Sequence, residues 1–436
     1  MRVLLITSEE WNDYTFPNGV LTNWFTDFDV EVAQIYTSPG KPVNDICDKY
    51  FQITDAQMAK SIFGGRKAGA VIYKPSASAE VEAAKENAQR KGVYGFMKHM
   101  SLYWRTPIMF LKDFIWDCGR YDVDALTSFV RDFNPDVVFC PRYISKRLMR
   151  LEKIVSTMTD APFVAFTADD EISMENVQWW QLEYYRRWFA RQQFKRHVKL
   201  YSHYFTFSSE QAREYEQEYG VSSSTLLKCA DFSNVISAKA VGAPIRLVYA
   251  GHIYCNRWKS LAEIGNALKI VNKDRVRMVL DVYTMDPISA EQRKALSEDR
   301  FVYVKGKVTP AELKHIYEQA DIALHVESMD KHFRMVTRVS FSTKIIDLMA
   351  SSCAILAICW ERHAGYQYLK ENDAAFCCPD YKSILPQLQS ICDSPEFIDE
   401  YRKKAIACGG RNHNRKFIHS KMMSVFSKAI KDKNNE

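Results

Sequence analysis

The sequence has no long hydrophobic segment. No run of about 18 or more apolar residues occurs in the 436 residues, so no membrane-spanning helix is expected. The first apolar run, residues 3–7, is too short for the core of a secretory signal peptide, and no cleavage site follows it. These absences predict a cytoplasmic protein.

The cysteines form no pairing pattern. There are 11, an odd number, without a C-x-x-C pair, and the only close set is the adjacent Cys377-Cys378. Adjacent cysteines rarely bridge, so reduced thiols are expected and a disulfide framework is excluded. His325 and His332 lack a third ligand at suitable spacing, so no metal site is predicted.

Neither sign of charge dominates. The chain has 59 Lys and Arg against 53 Asp and Glu, a net charge of +6. This mildly basic balance favours phosphorylated ligands or an anionic membrane, and it does not indicate a nucleic-acid partner. The sequence contains no internal repeat or low-complexity segment, and its length allows two domains with their own cores.

Strand and helix patterns alternate in both halves of the chain. Buried-strand runs begin at Arg2 and Val30 in the first half, and the order restarts at Ile245. This alternation is typical of doubly wound α/β sheets, in which ligands bind beyond the carboxyl ends of the strands. Gly19, in the loop after the first strand, is therefore placed to approach a ligand, although it can equally be a turn glycine.

Two regions mix aromatic and basic residues. Residues 52–130 depart from the alternation and are interpreted as a helical insertion, with aromatic, apolar and basic side chains interleaved at 94–105 and 107–116. Residues 174–199 are predicted as one long helix, and 186–199 contain Lys and Arg but no acidic residue. Such segments lie on an anionic membrane or contact a lipid-linked acceptor, or they are core helices with a solvated basic face.

Three carboxylates follow the strand predicted at 162–167. They are Asp169, Asp170 and Glu171. Like charges this close raise one another's pKa, which suits a general acid or base. We select Asp169 and Asp170 as catalytic candidates, with a solvated turn that caps the next helix as the alternative.

The stretch from Ser342 to Ala357 is the most informative in the chain. Ser342 and Thr343 suit a helix N-cap, and a helix N-terminus that carries Lys344 suits a phosphate group. Asp347, one turn further on, can accept hydrogen bonds from a ribose diol. The apolar run that follows predicts a buried parallel strand. An ordinary amphipathic helix before a strand is the alternative.

This stretch resembles the nucleotide-binding signature of GT-B glycosyltransferases, especially the retaining family-four type. By resemblance, Asp347 holds the ribose, while Ser342, Thr343 and Lys344 face the diphosphate. The chain departs from the family pattern in three ways. The family's other carboxylate falls at Val339, aspartate replaces glutamate at 347, and Gly-x-Pro is replaced by residues 352–354.

The resemblance extends to residues before the signature. Gly251 ends a predicted strand, and a loop predicted at 253–259 follows it, before a helix predicted at 260–271. In that loop, Arg257 and Lys259 resemble the cations that hold the diphosphate in the family, with surface charges as the alternative. Glu327, after the strand predicted at 321–326, is expected to border the same donor site.

The resemblance implies two Rossmann-like domains facing across a cleft. The expected domains are residues 1–235 on the acceptor side, 243–415 for the nucleotide sugar, and a helix at 416–436 that returns to the first domain. The implied activity is transfer of a hexose from a nucleotide-diphosphate sugar, with retention and without a metal cofactor. The implied acceptor is a glycan or lipid-linked molecule of cell-surface polysaccharide synthesis, at the inner face of the membrane. A nucleotide-sugar epimerase on the same fold and a non-catalytic two-lobed sugar-binding protein are the alternatives.

Overall fold

The computed structural model describes residues 1–13, 19–73, 107–175, 177, 179–233, 235–236, 239–297 and 301–435. The chain divides into two compact units. Unit 1 comprises Met1–Leu226 together with His419–Glu436, and unit 2 comprises Leu227–Ile418. The predicted segment at 94–105 lies outside the described residues.

Unit 1 is built on an eight-stranded sheet. Its strands are β1 (Arg2–Thr7), β2 (Glu31–Tyr36), β3 (Lys49–Gln52), β4 (Ala70–Tyr73), β5 (Val137–Pro141), β6 (Phe163–Thr167), β7 (Tyr201–Thr206) and β8 (Ser223–Thr225). Their order is β4-β3-β2-β1-β5-β6-β7-β8, and every neighbouring pair is parallel except β3 and β4. The order reverses between β1 and β5, where α/β sheets open their ligand crevice.

Seven helices connect these strands within the described part of unit 1. They are α1 (Val20–Phe25), α2 (Asp55–Phe63), α3 (107–118), α4 (Val123–Phe133), α5 (Lys146–Val155), α6 (Leu182–His197) and α7 (Ser209–Tyr219). The ends of α7 follow local sequence signals. The Ser208 side chain accepts from the N–H of Gln211 at 3.2 Å, and Gly220 ends the helix at φ 67°.

The long helix predicted at 174–199 was wrong in its first third. The helix begins only at Leu182, and the chain before it forms turns. Arg187 explains the late start, because its guanidinium reaches back to donate to the carbonyl of Ser173 at 3.0 Å. That bond holds Ser173 beside α6, where a continuous helix from 174 to 199 could not place it.

Unit 2 contains a six-stranded sheet. Its strands are β9 (Ile245–Ala250), β10 (Met278–Tyr283), β11 (Val302–Val304), β12 (Ile322–Val326), β13 (Ala354–Ile358) and β14 (Phe376–Cys378). All pairs are parallel, in the order β11-β10-β9-β12-β13-β14. The strand predicted within the 342–357 stretch is confirmed as β13, which is buried along its whole length. The order reverses between β9 and β12.

The helices of unit 2 complete the alternation. They are α8 (Arg257–Val271), α9 (Ala290–Ser297), α10 (Pro310–Gln319), α11 (Lys331–Thr337), α12 (Lys344–Met349), α13 (Ala364–Glu371), α14 (Ile384–Asp393) and α15 (Glu396–Asn412). The predicted loop at 253–259 was too long. Asn256, at φ 62°, turns the chain, and α8 begins at the next residue, so Arg257 and Lys259 lie in its first turn.

The last helix, α16 (Arg415–Asn434), belongs to unit 1 from His419 onward. Its Phe426 is fully buried and contacts Phe139 of β5 with ring centroids 5.5 Å apart. The ring of His419 stacks on Phe28 at 4.6 Å. The predicted return of the C-terminal helix to the first domain is therefore confirmed. Among the described residues, no helix is long and apolar enough to cross a bilayer.

Candidate functional site

Three of the sequence-predicted donor residues, Gly251, Arg257 and Glu327, lie at the strand-order reversal of unit 2, whereas Gly19 lies in unit 1. Gly251 follows β9, Glu327 follows β12, and Arg257 opens α8 from the loop between them. These loops flank the position where open α/β sheets bind ligands. The fold itself therefore brings together side chains that are up to 76 residues apart in the sequence.

Arg257 and Glu327 form a bidentate ion pair. The Arg257 Nε and Nη2 donate to the two Glu327 oxygens at 2.9 and 3.0 Å, and both side chains are largely buried. Burial lowers the pKa of Arg257, but the Glu327 carboxylate more than offsets this and raises the pKa above its ordinary value. Arg257 is therefore a fixed cation, held in one orientation by a planar two-bond contact.

The pKa of Lys344 is shifted downward, opposite in direction to the pKa of Arg257. The Lys344 ammonium donates to the carbonyl of Ala250 at 3.1 Å and lies 5.6 Å from the centroid of the Tyr249 ring. Burial first, and then the charge of Arg257, lower the pKa of Lys344 to about 8. A Cβ at Gly251 would lie 1.7 Å from this ammonium, so only glycine leaves room for it.

Two further sequence-predicted residues lie at the margin of this cluster. The Nζ of Lys259 lies 3.3 Å from Oδ2 of Asp330, the residue at the N-cap position of α11. The Lys259 side chain is less buried than that of Arg257. Asp347 is exposed and forms an ion pair with Lys228 at 2.9 Å. The carboxylate of Asp347 nevertheless lies near enough to raise the pKa of Lys344, in opposition to its burial.

Positive charge alone does not distinguish the site. Four cations and four carboxylates surround it: Lys228, Arg257, Lys259 and Lys344, with Asp286, Glu327, Asp330 and Asp347. Asp286 accepts from the N–H of Ile253 at 2.7 Å and contacts Nδ1 of His252 at 2.6 Å, which fixes the loop after β9. What sets Lys344 apart is its partner, because its ammonium donates to the carbonyl of Ala250, whereas Arg257, Lys228 and Lys259 each contact a carboxylate.

The predicted hydroxyl cap of α12 is absent. Thr343 occupies the N-cap position with helical dihedrals, φ −58° and ψ −20°, and its side chain makes no capping bond. Ser342 contributes its carbonyl, which accepts from the N–H of Ile345 at 3.0 Å. Thr343 therefore occupies the N-cap position that the sequence suggested, but its hydroxyl makes no capping bond, because the preceding turn already continues the helical geometry.

The catalytic candidates lie in unit 1, after β6. Asp169 is exposed, and its carbonyl accepts from Gln211 at 3.0 Å. Asp170 accepts from the N–H of Ser173 at 3.1 Å, as expected for a carboxylate that orders a turn. The third carboxylate, Glu171, was not among the two catalytic candidates, yet it has the clearly shifted pKa. Burial raises its pKa to about 8, although the N–H of Ile144 favours its charged form.

Gly19 opens α1 with φ 48° and ψ 35°. This is the left-handed region, which glycine adopts without a steric penalty. Its carbonyl accepts from the N–H of Asn23 at 2.7 Å, so the residue functions as a helix-starting turn. The geometry gives a local reason for this glycine, while its proposed approach to a ligand remains a prediction.

A cluster that the sequence reasoning missed lies under the donor residues. His325 of β12, Cys359 after β13 and His363 at the N-cap of α13 place one potential ligand atom each within 4.8 Å of one another. All three are buried. Sequence spacing paired His325 with His332, which is exposed on α11. The strand order could have predicted this cluster, because β12 and β13 are neighbouring parallel strands and their carboxyl ends lie side by side at one edge of the sheet.

Most of the aromatic residues near α6 are exposed. The exposed fractions are 67, 65, 45, 43 and 54% for Trp179, Trp180, Tyr185, Trp188 and Phe189. Phe194 is the one side chain of α6 that is fully buried. The core-helix interpretation therefore fits only the end of this segment. In α3, Ile108, Leu111 and Phe114 are exposed as well.

No protein-family model and no curated protein matches the chain. Solved structures do match it. Sucrose-phosphate synthase from Thermosynechococcus elongatus aligns with a TM-score of 0.57 at 11% identity and covers 98% of both chains. A trehalose-6-phosphate protein from E. coli, bound with UDP-2-fluoro glucose, aligns at 0.57 and 8% identity over 98% of this chain and 99% of that one.

A third match is shorter in coverage. The pneumococcal O-GlcNAc transferase GtfA, in complex with UDP and GlcNAc, aligns with a TM-score of 0.50 at 12% identity, over 71% of this chain. The chain spans 61% of the length of that transferase. Identities this low establish common architecture without establishing common chemistry. The neighbours are GT-B glycosyltransferases, and the chain has the GT-B fold that its sequence predicted.

Proposed function

We propose that the chain is a glycosyltransferase whose donor is a nucleotide-diphosphate sugar. The observation that carries this proposal is the partly buried ammonium of Lys344, held against Gly251 at the strand-order reversal of unit 2. A partly buried cation at this place in an α/β sheet suits a phosphorylated ligand. The neighbours bound with UDP or a UDP-sugar have the same fold and support this choice of ligand class.

Some of the donor residues would supply positive charge, and others would orient the charged side chains. Lys344 and Arg257 would stabilise the diphosphate as it leaves, which is the charge that develops in the transition state. Glu327 would keep the guanidinium of Arg257 aimed, through the bidentate contact. Gly251 would leave room for the ammonium, and Lys259 would add a peripheral charge.

The start of α12 would complete donor binding. The backbone N–H groups of Ser342 and Thr343 would face the diphosphate, as in the family that the sequence resembles. Asp347 would accept hydrogen bonds from the ribose hydroxyls. To do so, its carboxylate would leave Lys228, and that ion pair is partly exposed to solvent and therefore weak. We propose that donor binding of this kind needs no metal ion.

The acceptor side is proposed from unit 1. Asp169 and Asp170 are the catalytic candidates there, and Glu171 joins them because its raised pKa keeps it able to exchange a proton near neutral pH. The acceptor that we propose is a glycan or lipid-linked molecule of cell-surface polysaccharide synthesis, glycosylated by a hexose with retention. Gly19 is the residue of this unit proposed to approach the donor.

We also propose that unit 1 rests on an anionic membrane surface through α6 and the turn before it. Exposed Trp and Phe side chains beside Arg and Lys are the composition that binds lipid headgroups and acyl chains together.

The test of this membrane surface is co-sedimentation with vesicles containing phosphatidylglycerol. The double substitution of Trp188 and Phe189 by serine should reduce binding, whereas Phe63→Ser, an exposed aromatic on α2, should not. Equal binding of the vesicles by both variants would refute the proposal that α6 contacts the membrane.

Calorimetric titration with UDP and GDP tests the donor assignment. Lys344→Met should weaken binding of the preferred nucleotide at least about tenfold, since a desolvated ammonium–phosphate contact is lost. Lys273→Met is the matched control, because Lys273 is exposed in the turn between α8 and β10, at the opposite edge of the sheet. Absence of binding by either nucleotide, or equal loss in both variants, would overturn the proposal.

A panel of nucleotide sugars then separates transfer from the alternatives. A transferase releases the nucleoside diphosphate when donor and acceptor are both present. An epimerase would interconvert sugars that stay attached to the nucleotide, and a sugar-binding protein would leave the donor unchanged. The donor that releases diphosphate also identifies the base and the sugar.

A further inference from the structure

Three buried side chains of unit 2 converge on one point that the donor site does not use. His325 and His363 have ring centroids 5.9 Å apart, and Cys359 lies between the strand β13 and the helix α13. Potential ligand atoms of all three lie within 4.8 Å of one another. His325 and His363 are each 3% exposed and Cys359 is fully buried.

One of these atoms has no partner. The Nε2 of His325 is buried and makes no hydrogen bond within the described residues. A buried polar atom without a partner costs about 1–3 kcal/mol, so native proteins rarely leave one. The position of the atom is constrained, because a Cβ added to Gly365 would stand 3.3 Å from it. The imidazole therefore points toward the space beside His363 and Gly365.

Two imidazoles and one thiol form a donor set of recognisable chemistry. Zn²⁺ binds His nitrogen at about 2.0–2.1 Å and Cys sulfur at about 2.3 Å, so its ligand atoms lie roughly 3.3–3.8 Å apart. Side chains already within 4.8 Å need only small rotations to reach that separation. Mg²⁺ and Ca²⁺ require oxygen ligands and do not suit this set.

We propose that His325, Cys359 and His363 bind one Zn²⁺ ion, or another divalent ion that prefers nitrogen and sulfur ligands. The ion would give Nε2 of His325 its missing partner. His363 would coordinate through one of its ring nitrogens, of which Nδ1 now accepts from the N–H of Gly365 at 3.1 Å. Three protein ligands leave a fourth position for water or another small ligand.

Such an ion would connect the segments that carry the donor residues. Glu327 lies two residues after His325, and the Cδ1 of Ile345 would be 2.6 Å from a Cβ at Gly365. The ion would therefore tie β12, β13 and α13 together directly behind Glu327 and α12. This role is structural, and the inference stands whether or not the chain is a glycosyltransferase.

The first test is zinc content per chain. The full-length protein is stripped with a chelator, loaded with one equivalent of zinc chloride, desalted and analysed by mass spectrometry for metal. We expect about one zinc per chain in the wild type, and at least about tenfold weaker retention in His325→Gln and Cys359→Ser. The matched controls His332→Gln and Cys378→Ser, which lie outside the three-residue cluster, should retain zinc like the wild type.

The second test needs no variant and decides the matter if a substitution prevents folding. X-ray absorption at the zinc edge of the loaded wild type should show one sulfur at about 2.3 Å with nitrogen ligands at about 2.0–2.1 Å. A wild type that retains no zinc, a spectrum with no sulfur or with two, or equal retention in Cys359→Ser and Cys378→Ser would overturn the proposal. Nucleotide titration of the same samples reports separately on the donor site.

Discussion

Lys344 carries its charge in surroundings that oppose it. Its ammonium is desolvated, and the fixed cation Arg257 stands nearby, so the pKa falls to about 8 from an ordinary value of 10.5. Groups with perturbed pKa values are frequent at functional sites, and buried ion pairs that stabilise a fold perturb pKa values as well. The free energy that burial of this charge costs would be recovered when a phosphate arrives.

Substitution of Lys344 by methionine should therefore stabilise the free protein while it weakens nucleotide binding. Below pH 8 the lysine is protonated in both the folded and the unfolded state, so the full cost is present. We expect Lys344→Met to raise the free energy of unfolding by about 1–3 kcal/mol at pH 7. Between pH 8 and 10.5 the folded state releases its proton first, so the difference should shrink as pH rises.

Urea unfolding of unit 2, followed at several pH values, measures this difference. Lys273→Met serves again as the control and should change the stability little at any pH. A Lys344→Met protein that is less stable than the wild type at pH 7 would show that the contact with the Ala250 carbonyl outweighs the desolvation. That result would contradict the interpretation of Lys344 as a strained, functional cation.

Asp347 and Lys228 allow a separation of ribose binding from ion pairing. Asp347→Ala removes both the carboxylate and its pair, and should weaken nucleotide binding about tenfold through the loss of ribose hydrogen bonds. Lys228→Ala removes only the pair, so the nucleotide should bind as before or more tightly. Titration of both variants with the same nucleotide measures the two effects. Equal weakening would assign the effect to the ion pair and not to the ribose.

At the scale of secondary-structure elements, one buried network joins β5, α5, α6 and β7 in unit 1. Arg142 donates to both oxygens of Glu152 at 2.6 and 3.1 Å, and His197 contacts one of them at 2.7 Å. The hydroxyl of Tyr201 donates to the same carboxylate. Burial raises the pKa of Glu152, but Arg142 and His197 outweigh it and lower the pKa to about 2.

Glu152→Gln should destabilise unit 1 by about 3–5 kcal/mol at pH 7, because Arg142 is then buried without a counter-charge. The folded pKa lies below the ordinary value of 4.5, so the carboxylate stabilises the fold fully above about pH 4.5. This contribution should be lost as pH falls from 4.5 toward 2, and the gap between variant and wild type should close. Thermal unfolding of both proteins across this range is the measurement. A gap independent of pH would exclude ionisation as the cause.

The elements themselves were largely predictable because their signals are local. The α7 helix begins at a serine cap and ends at Gly220, and the apolar run of β13 could only be a buried strand. The errors fell where distant contacts decide. Arg187 reaches back to Ser173 and shortens α6, and no local pattern announces such a bond.

The candidate site was predictable in its position and less so in its chemistry. The strand order placed Gly251, Arg257 and Glu327 together, as the alternation of elements implied. The partners could not be foreseen, because Lys228 and Asp347 are 119 residues apart and meet only in the folded unit. The three-residue cluster was not predicted because His325 of β12 joins Cys359 and His363, which lie four residues apart between β13 and α13, only in the folded unit.

For the molecule as a whole, the C-terminal helix is the unusual connection. Phe426 of α16 is fully buried in unit 1, so Phe426→Ala should cost unit 1 about 3–5 kcal/mol. Phe417→Ala is the control, because Phe417 is 44% exposed and precedes the part of α16 that joins unit 1. Urea unfolding of both variants, followed by tryptophan fluorescence, measures their stability. Nucleotide binding reports separately whether unit 2 stays folded. Equal stability of the two variants would mean that α16 contributes little to unit 1.

The same helix sets an order of events during synthesis. A ribosome that has completed residue 226 has made every strand of the first sheet but must still add about 190 residues before α16 exists. At roughly 5–20 residues per second, that delay is on the order of 10–40 s. Throughout it, the rings of Phe28 and Phe139 lack the cover that α16 later gives them. The first unit therefore exposes these two rings until α16 has been synthesised.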